Sequence, residues 1–175
     1  MNRYLIVVDM QKDFIDGALG TAEAVKILPI VAERVASFQG TVLFTRDTHG
    51  ADYLHTQEGK NLPVVHCIRE TDGWQLAPQL GSYAETHSSP IFDKPSFGSL
   101  ELASFLQKVH QETPIDEVLL MGVCTDICVI SNALLLKAAL PEVPIAVAAD
   151  CCAGVTPQRH QNALEAMAAC QISIC

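Results

Sequence analysis

The sequence predicts a single-domain, three-layer α/β fold built on a doubly wound parallel sheet of about five to six strands. Three observations predict it. Short apolar runs recur along the chain, stretches with helical spacing separate them, and no repeat, low-complexity tract or linker interrupts the series across residues 1–175. Alternating strands and helices give a parallel sheet with helices on both faces. A chain of 175 residues can bury a substantial core without metal or disulfide staples.

Taken in order, Leu5 to Asp9 reads as the first strand and Gln11 to Gly20 as a polar, glycine-containing loop. A helix follows at about Ala22–Phe38, with Val25, Leu28, Val31, Ala32 and Val35 on one face. Thr41 to Thr45 is the second strand. From Arg46 to about Ser88 no period is sustained, and polar residues, Gly and Pro are frequent. That stretch reads as an ordered insertion of loops and short helices, and loops so long tend to be functional. Ser89 to Asp93 is a short strand, Leu100 to Gln111 a helix and Val118 to Met121 a buried strand. A helix over about Asp126–Leu140, a strand at Ile145 to Ala148, a helix at Pro157–Ala169 and a strand at Ile172 to Ile174 complete the series. Pro157 suits a first helical turn.

The formal net charge of −9 argues against nucleic acid as a partner. No apolar run reaches the ~18 residues of a membrane span. The stretch from Met1 to Asp9 carries one basic residue and a short apolar run ending in Asp, which suits a core strand better than a secretory signal. A cytoplasmic location is therefore expected. The seven cysteines are odd in number, and Cys151 and Cys152 are adjacent, so free thiols are expected, most of them small buried hydrophobes.

In parallel sheets, ligands bind outside the carboxyl ends of the strands. Asp9 ends the first strand, Asp47 and His49 follow the second, Lys94 the third and Cys128 the fourth, so all should face one rim. Cys128 belongs to Gly122-Val123-Cys124-Thr125-Asp126-Ile127-Cys128-Val129, a strand end and short turn running into an apolar helix. Free N–H groups and the helix dipole at such a start favour a thiolate. A cysteine hydrolase needs a thiolate, a group to take and return its proton, and a positive charge to hold the pair; Cys128, Asp9 and Lys94 can fill those roles. A second constellation, Asp47, His49, His55, Glu58 and His66, offers imidazoles and carboxylates suited to Zn²⁺, Mn²⁺ or Fe²⁺. Cys124 and Cys128 would be only half of a four-ligand zinc site. Trp74 is expected to anchor a lid or an interface, and His87, His110 and His160 to lie on the surface. Cys67, beside His66, reads as a packing residue.

The segments Val-Val-Asp-Met-Gln-Lys-Asp-Phe (7–14), Asp-Lys-Pro-Ser-Phe-Gly-Ser (93–99) and Gly-Val-Cys-Thr-Asp-Ile-Cys-Val (122–129) resemble the isochorismatase-like cysteine hydrolase superfamily, in the same order and over nearly the whole chain. That superfamily includes nicotinamidases, N-carbamoylsarcosine amidohydrolases and isochorismatases. The resemblance implies a catalytic triad of Asp9, Lys94 and Cys128. It also implies a cis peptide between Val123 and Cys124 that aims the N–H groups of Cys124 and Cys128 at the oxyanion. Arg46-Asp47-Thr48-His49, followed by Pro63-Val64-Val65-His66-Cys67, looks like the nicotinamidase metal site. There Asp47, His49 and His66 would be joined by a third His, for which His55 fits by spacing, or by a Glu, for which Glu58 fits. The Tyr53 to Lys60 segment resembles a branch of the family in which that Glu recurs, and this resemblance favours Glu58. Phe14 would be an aromatic wall for the substrate ring. Pro63 stands where many nicotinamidases carry a clamping Trp.

The function expected is a metal-containing cysteine amidohydrolase of nicotinamidase type. It would act on a small heteroaromatic amide through a thioester, with one divalent ion, Zn²⁺ before Mn²⁺ or Fe²⁺. The rivals are another superfamily hydrolase, acting on a ureido or carbamoyl amide or on isochorismate, and a non-catalytic metal- or redox-responsive binding protein. The partners expected are the small substrate and a second copy in a homo-oligomer, with no nucleic acid and no membrane.

Overall fold

A computed structural model describes residues 1–175. Six parallel strands form one sheet in the order β3-β2-β1-β4-β5-β6. They are β1 (Arg3–Val8), β2 (Thr41–Asp47), β3 (Ile91–Lys94), β4 (Glu117–Val123), β5 (Ile145–Ala153) and β6 (Ser173–Ile174). Successive strands run outward from β1 to one edge and from β4 to the other, so the order reverses between β1 and β4. Such a switch point leaves a crevice at the carboxyl ends of its two strands.

The helices are α1 (Lys12–Ile15), α2 (Ala22–Ser37), α3 (Gln57–Asn61), α4 (Pro78–Thr86), α5 (Leu100–Glu112), α6 (Ile130–Ala139) and α7 (Pro157–Ala169), with a 3₁₀ turn at Tyr53–His55 and a π turn at Thr125–Val129. α2 packs with α1 and α4, and α6 packs between α5 and α7. Thr21, Ser99 and Thr156 start α2, α5 and α7 by accepting hydrogen bonds from backbone N–H groups. This satisfies donors that would otherwise be left free.

Leu5, Ile6, Val7 and Val8 are wholly buried, as a central strand covered on both faces must be. Gly122 lets β4 approach β1 there. Its φ is +122°, and a Cβ would collide with the Val8 carbonyl.

Three expectations are corrected. β2 and β3 are longer at their ends than the apolar runs suggested, so Asp47 and Lys94 close their strands and pair with each other in register. Buried polar partners allow this: the Gln11 side chain takes up the Asp47 backbone. β5 extends to Ala153 and takes in Cys151 and Cys152. The buried stripe of α2 is Ala24, Ile27, Val31 and Val35, and Val25 is 48% exposed. Val25 follows Ala24 directly and so lies about 100° round the helix from it.

Candidate active site

The rim beyond β1, β2, β3 and β4 gathers two adjoining clusters. Asp9 follows β1 in a left-handed conformation, φ +49°, uncommon for a residue other than glycine. Its carboxylate is fully buried. Thr45 Oγ1 donates to Asp9 Oδ1 at 2.6 Å. Oδ2 lies 2.6 Å from Lys94 Nζ, off the hydrogen-bond line, so that contact is an ion pair and Oδ2 has no aligned donor. Lys94 Nζ is also 3.5 Å from Cys128 Sγ and 3.3 Å from Asp47 Oδ1, and donates to Ser96 O at 3.1 Å. The lysine is thus the hub between a carboxylate, a thiol and the second cluster. The Val123–Cys124 peptide is cis.

Cys128 departs from expectation in its local setting. It lies in the π turn ahead of α6, not in an α-helical first turn. Burial pushes its thiol well above the ordinary cysteine value; the Asp9 charge adds to the rise, and Lys94 opposes it. Burial therefore opposes the dipole and the Lys94 charge at this sulfur. Burial likewise raises the Asp9 carboxyl against the pull of Lys94.

In the second cluster, the ligand atoms of Asp47, His49, Glu58 and His66 lie within 4.8 Å of one another. His49 Nε2 is 2.9 Å from Asp47 Oδ2 and 3.7 Å from Glu58 Oε1. His66 Nε2 is 3.5 Å from Asp47 Oδ2 and 3.9 Å from Glu58 Oε1. His66 Nδ1–H donates to Val64 O at 2.7 Å, which turns Nε2 toward the cluster. Burial works against an ionised Asp47, but hydrogen bonds from His49 and His66 and the Lys94 charge hold it below the usual carboxylate range. Two imidazoles and two carboxylates converging this closely fit a divalent transition ion. His55 is exposed and stands outside the cluster. Glu58 enters because α3 presses close on the 3₁₀ turn: a Cβ on Gly59 would collide with Tyr53 O.

Several supporting residues escaped sequence reasoning. Gln11 is fully buried; its Nε2 donates to Asp47 O and Trp74 O, and its Oε1 accepts from Asp47 N. Asp13 Oδ2 accepts from Cys67 N at 2.7 Å, next to His66. The Phe14 ring meets the His66 ring edge at 5.5 Å. The 9–14 segment therefore holds Asp9 and braces two members of the second cluster. Tyr53 is fully buried against His49 and His66, with ring centroids 4.6 and 5.0 Å away. Polar residues at alternate positions after an apolar strand were the available signal for Gln11 and Asp13. Tyr53 gave none.

Two expectations about accessory residues are corrected. Trp74 is buried, donates to Thr48 Oγ1 at 2.8 Å and lies under Arg46, whose guanidinium carbon is 3.6 Å from the ring centroid. It props the Asp47–His49 segment from behind. His160 is half-buried and bonds Thr125 Oγ1 through Nδ1 at 2.8 Å. With Val155 N donating to Asp126 Oδ1 at 2.9 Å, it ties the start of α7 to the turn carrying Cys128. Cys67 is buried, as expected of a packing residue.

A cavity of about 230 Å³ opens on both clusters; Cys128, Asp47, Glu58, His66, Phe14 and Cys124 are among its walls. Its volume lies below the ~300–1,000 Å³ of sites for drug-sized ligands, so it suits a single-ring molecule.

The isochorismatase domain family model matches residues 3–175, and the chain belongs to that family. Within it, the chain is 28% identical to the nicotinamidase/pyrazinamidase of Mycobacterium tuberculosis, over 98% of this chain and 97% of the relative. It is 27% identical to a pyrazinamidase of Pyrococcus horikoshii solved in complex with zinc, with a TM-score of 0.80 over 100% of this chain and 99% of the other. It is 26% identical to a pyrazinamidase/nicotinamidase of Streptococcus mutans, with a TM-score of 0.85 over 99% and 100%.

Proposed function

We propose that the protein is a metal-containing cysteine amidohydrolase of nicotinamidase type, which converts a small heteroaromatic amide to its acid and ammonia through a thioester on Cys128. One observation carries the reading: the Asp9–Lys94–Cys128 cluster and the four-ligand cluster open on one cavity of single-ring size. The similarity to nicotinamidases and pyrazinamidases supports it.

The chemistry follows from the charges. Asp9 Oδ2, without an aligned donor, accepts the Cys128 thiol proton. Lys94, 2.6 Å from Asp9 and 3.5 Å from the sulfur, then changes ion-pair partner. Negative charge moves from one neighbour of the lysine to another, and no new uncompensated charge is created in the buried site. The thiolate attacks the amide carbon, and the backbone N–H groups of Cys124 and Cys128 hold the oxyanion. Asp9 returns the proton to the leaving ammonia. Asp9 then activates water to cleave the thioester, releasing the acid and restoring the thiol.

Phe14 forms the wall for the substrate ring. Asp47, His49, Glu58 and His66 would hold one divalent ion, with zinc the first candidate. When bound, such an ion supplies a Lewis-acid contact that orients the substrate through a ring nitrogen. The same reading places the enzyme in a reducing compartment, the cytoplasm, in keeping with seven unpaired cysteines.

A second reading has a specific support. Arg159, with its side chain 61% exposed, lines the same cavity and would suit a ureido amide bearing a carboxylate. Ammonia release from nicotinamide, pyrazinamide, benzamide and a ureido acid separates the two. Nicotinamide and pyrazinamide should lead in kcat/KM. Benzamide equal to nicotinamide would remove the ring-nitrogen contact, and a lead for the ureido acid would establish the second reading.

A further inference from the structure

Beside the single-ring cavity lies an outer cavity of about 680 Å³, lined by polar groups including Thr56, Gln57 and Asn61. Glu58, Leu62, Phe97 and Ile127 line both. Those four residues form the wall that the two spaces share. Leu62 is 38% exposed and Phe97 44% exposed. Phe97 is the one aromatic residue in that wall, and it makes no stacking contact with another ring.

The backbone of Phe97 is fixed although its ring is exposed. Asn132 is buried, and its Nδ2 donates both to Phe97 O at 3.2 Å and to Cys128 O at 2.8 Å. Its Oδ1 accepts from Ser99 N at 2.9 Å. On the other side, Lys94 Nζ donates to Ser96 O at 3.1 Å. One amide thus sets the distance between the Phe97 and Cys128 segments, and the hub lysine anchors the residue before Phe97. The backbone that carries the Phe97 ring is thus tied to the segment that carries the sulfur.

We propose that Phe97 is a specificity-determining partition. Its ring lines the inner cavity together with Phe14, offers the substrate ring an aromatic contact, and closes that cavity to larger amides. This rests on the amidase reading above. Removing the ring joins the outer space to the inner one. Small single-ring amides then lose a contact, and bicyclic amides gain room.

The test compares wild type, Phe97→Ala and Phe97→Trp on nicotinamide and on quinoline-3-carboxamide, which keeps the ring nitrogen and adds a fused ring. Hydrophobic pockets discriminate by roughly tenfold or more per misfitted group. Wild type should favour nicotinamide by at least about tenfold in kcat/KM, and Phe97→Ala should narrow that ratio at least about tenfold, chiefly by a raised KM for nicotinamide. Phe97→Trp should keep the wild-type order. An unchanged ratio in Phe97→Ala, or an equal loss on both amides, overturns the partition. A second readout does not need turnover: protection of Cys128 from iodoacetamide by each amide should show the same exchange of preference. If protection shifts as expected but no protein form releases ammonia, the amidase reading fails and the partition stands. If neither amide protects wild type, the partition fails.

Discussion

Replacing Lys94 by Met removes the one cation that faces two buried carboxylates, while a similar apolar stem still fills the space. In the wild type the ammonium is 2.6 Å from Asp9 Oδ2 and 3.3 Å from Asp47 Oδ1, and neither Lys94 nor Asp9 is accessible to water to any useful degree. Asp47 keeps His49 and His66 as partners. Asp9 keeps only Thr45, so the loss falls on Asp9. Breaking a buried pair on one side costs about 3–5 kcal/mol, which for a chain of this size lowers Tm by roughly 6–20 °C. The deficit should also depend on pH. Burial already raises the Asp9 carboxyl, and without Lys94 it rises further. The folded variant then binds more protons than its unfolded chain between ~3.9, the unfolded carboxyl value, and the new folded value. Its stability falls as pH rises through that window. Urea unfolding followed by circular dichroism, at matched metal content, should therefore show a smaller deficit at about pH 5 than at about pH 7.5. A deficit below about 1 kcal/mol at the higher pH, or one that grows on acidification, would refute the argument that Lys94 compensates Asp9.

The other expectations concern single groups. Cys128→Ala should abolish ammonia release, while Cys124→Ala retains a measurable fraction, because only Cys128 contacts Lys94; wild-type rates for Cys128→Ala would exclude the thioester. The purified protein should carry about one divalent ion per chain. Elemental analysis should find it lost in His49→Ala and kept in His55→Ala, whose ring lies outside the cluster. Gln11→Leu, which frees the Asp47 backbone, should weaken metal binding about 10–100-fold in equilibrium dialysis, and unchanged affinity would remove its positioning role. His160→Asn should lower kcat about tenfold with KM little changed, because the Thr125 bond places the nucleophile turn. Burial lowers the His160 value, so the folded protein binds fewer protons there and loses stability as pH falls through the unfolded value near ~6.5; that acid-side loss should be smaller in the variant.

The layered architecture was readable because β1, β2, β4 and β5 are apolar runs buried on both sides, and helical spacing separates them. Strand ends were less readable, because polar residues such as Asp47 and Lys94 continue a strand only when buried partners receive them, and those partners lie far off in sequence. The reactive residues were legible as a set, since the carboxyl ends of parallel strands share one rim and the motif spacings are distinctive. The balance of forces on their charges was not. A cysteine before a helix shows the dipole that favours its thiolate, but the burial that opposes it is set by the whole fold. The roles of Gln11, Asp13, Tyr53 and His160 depend on contacts between segments from 35 to 54 residues apart in the cases of His160 and Asp13, and no local pattern reports such contacts. Trp74 shows the same limit: it sits among loop residues, and only the folded chain brings Arg46 over its ring.

The thioester is the most direct point of attack. Wild-type protein mixed with nicotinamide and quenched in acid within the first turnovers, then mapped by peptide mass spectrometry, should carry a nicotinoyl group on Cys128. The group should disappear as nicotinate accumulates, and it should be absent from Cys124. Steady ammonia release with no acyl group on Cys128 at any quench time, or with the group on Cys124, would contradict the account.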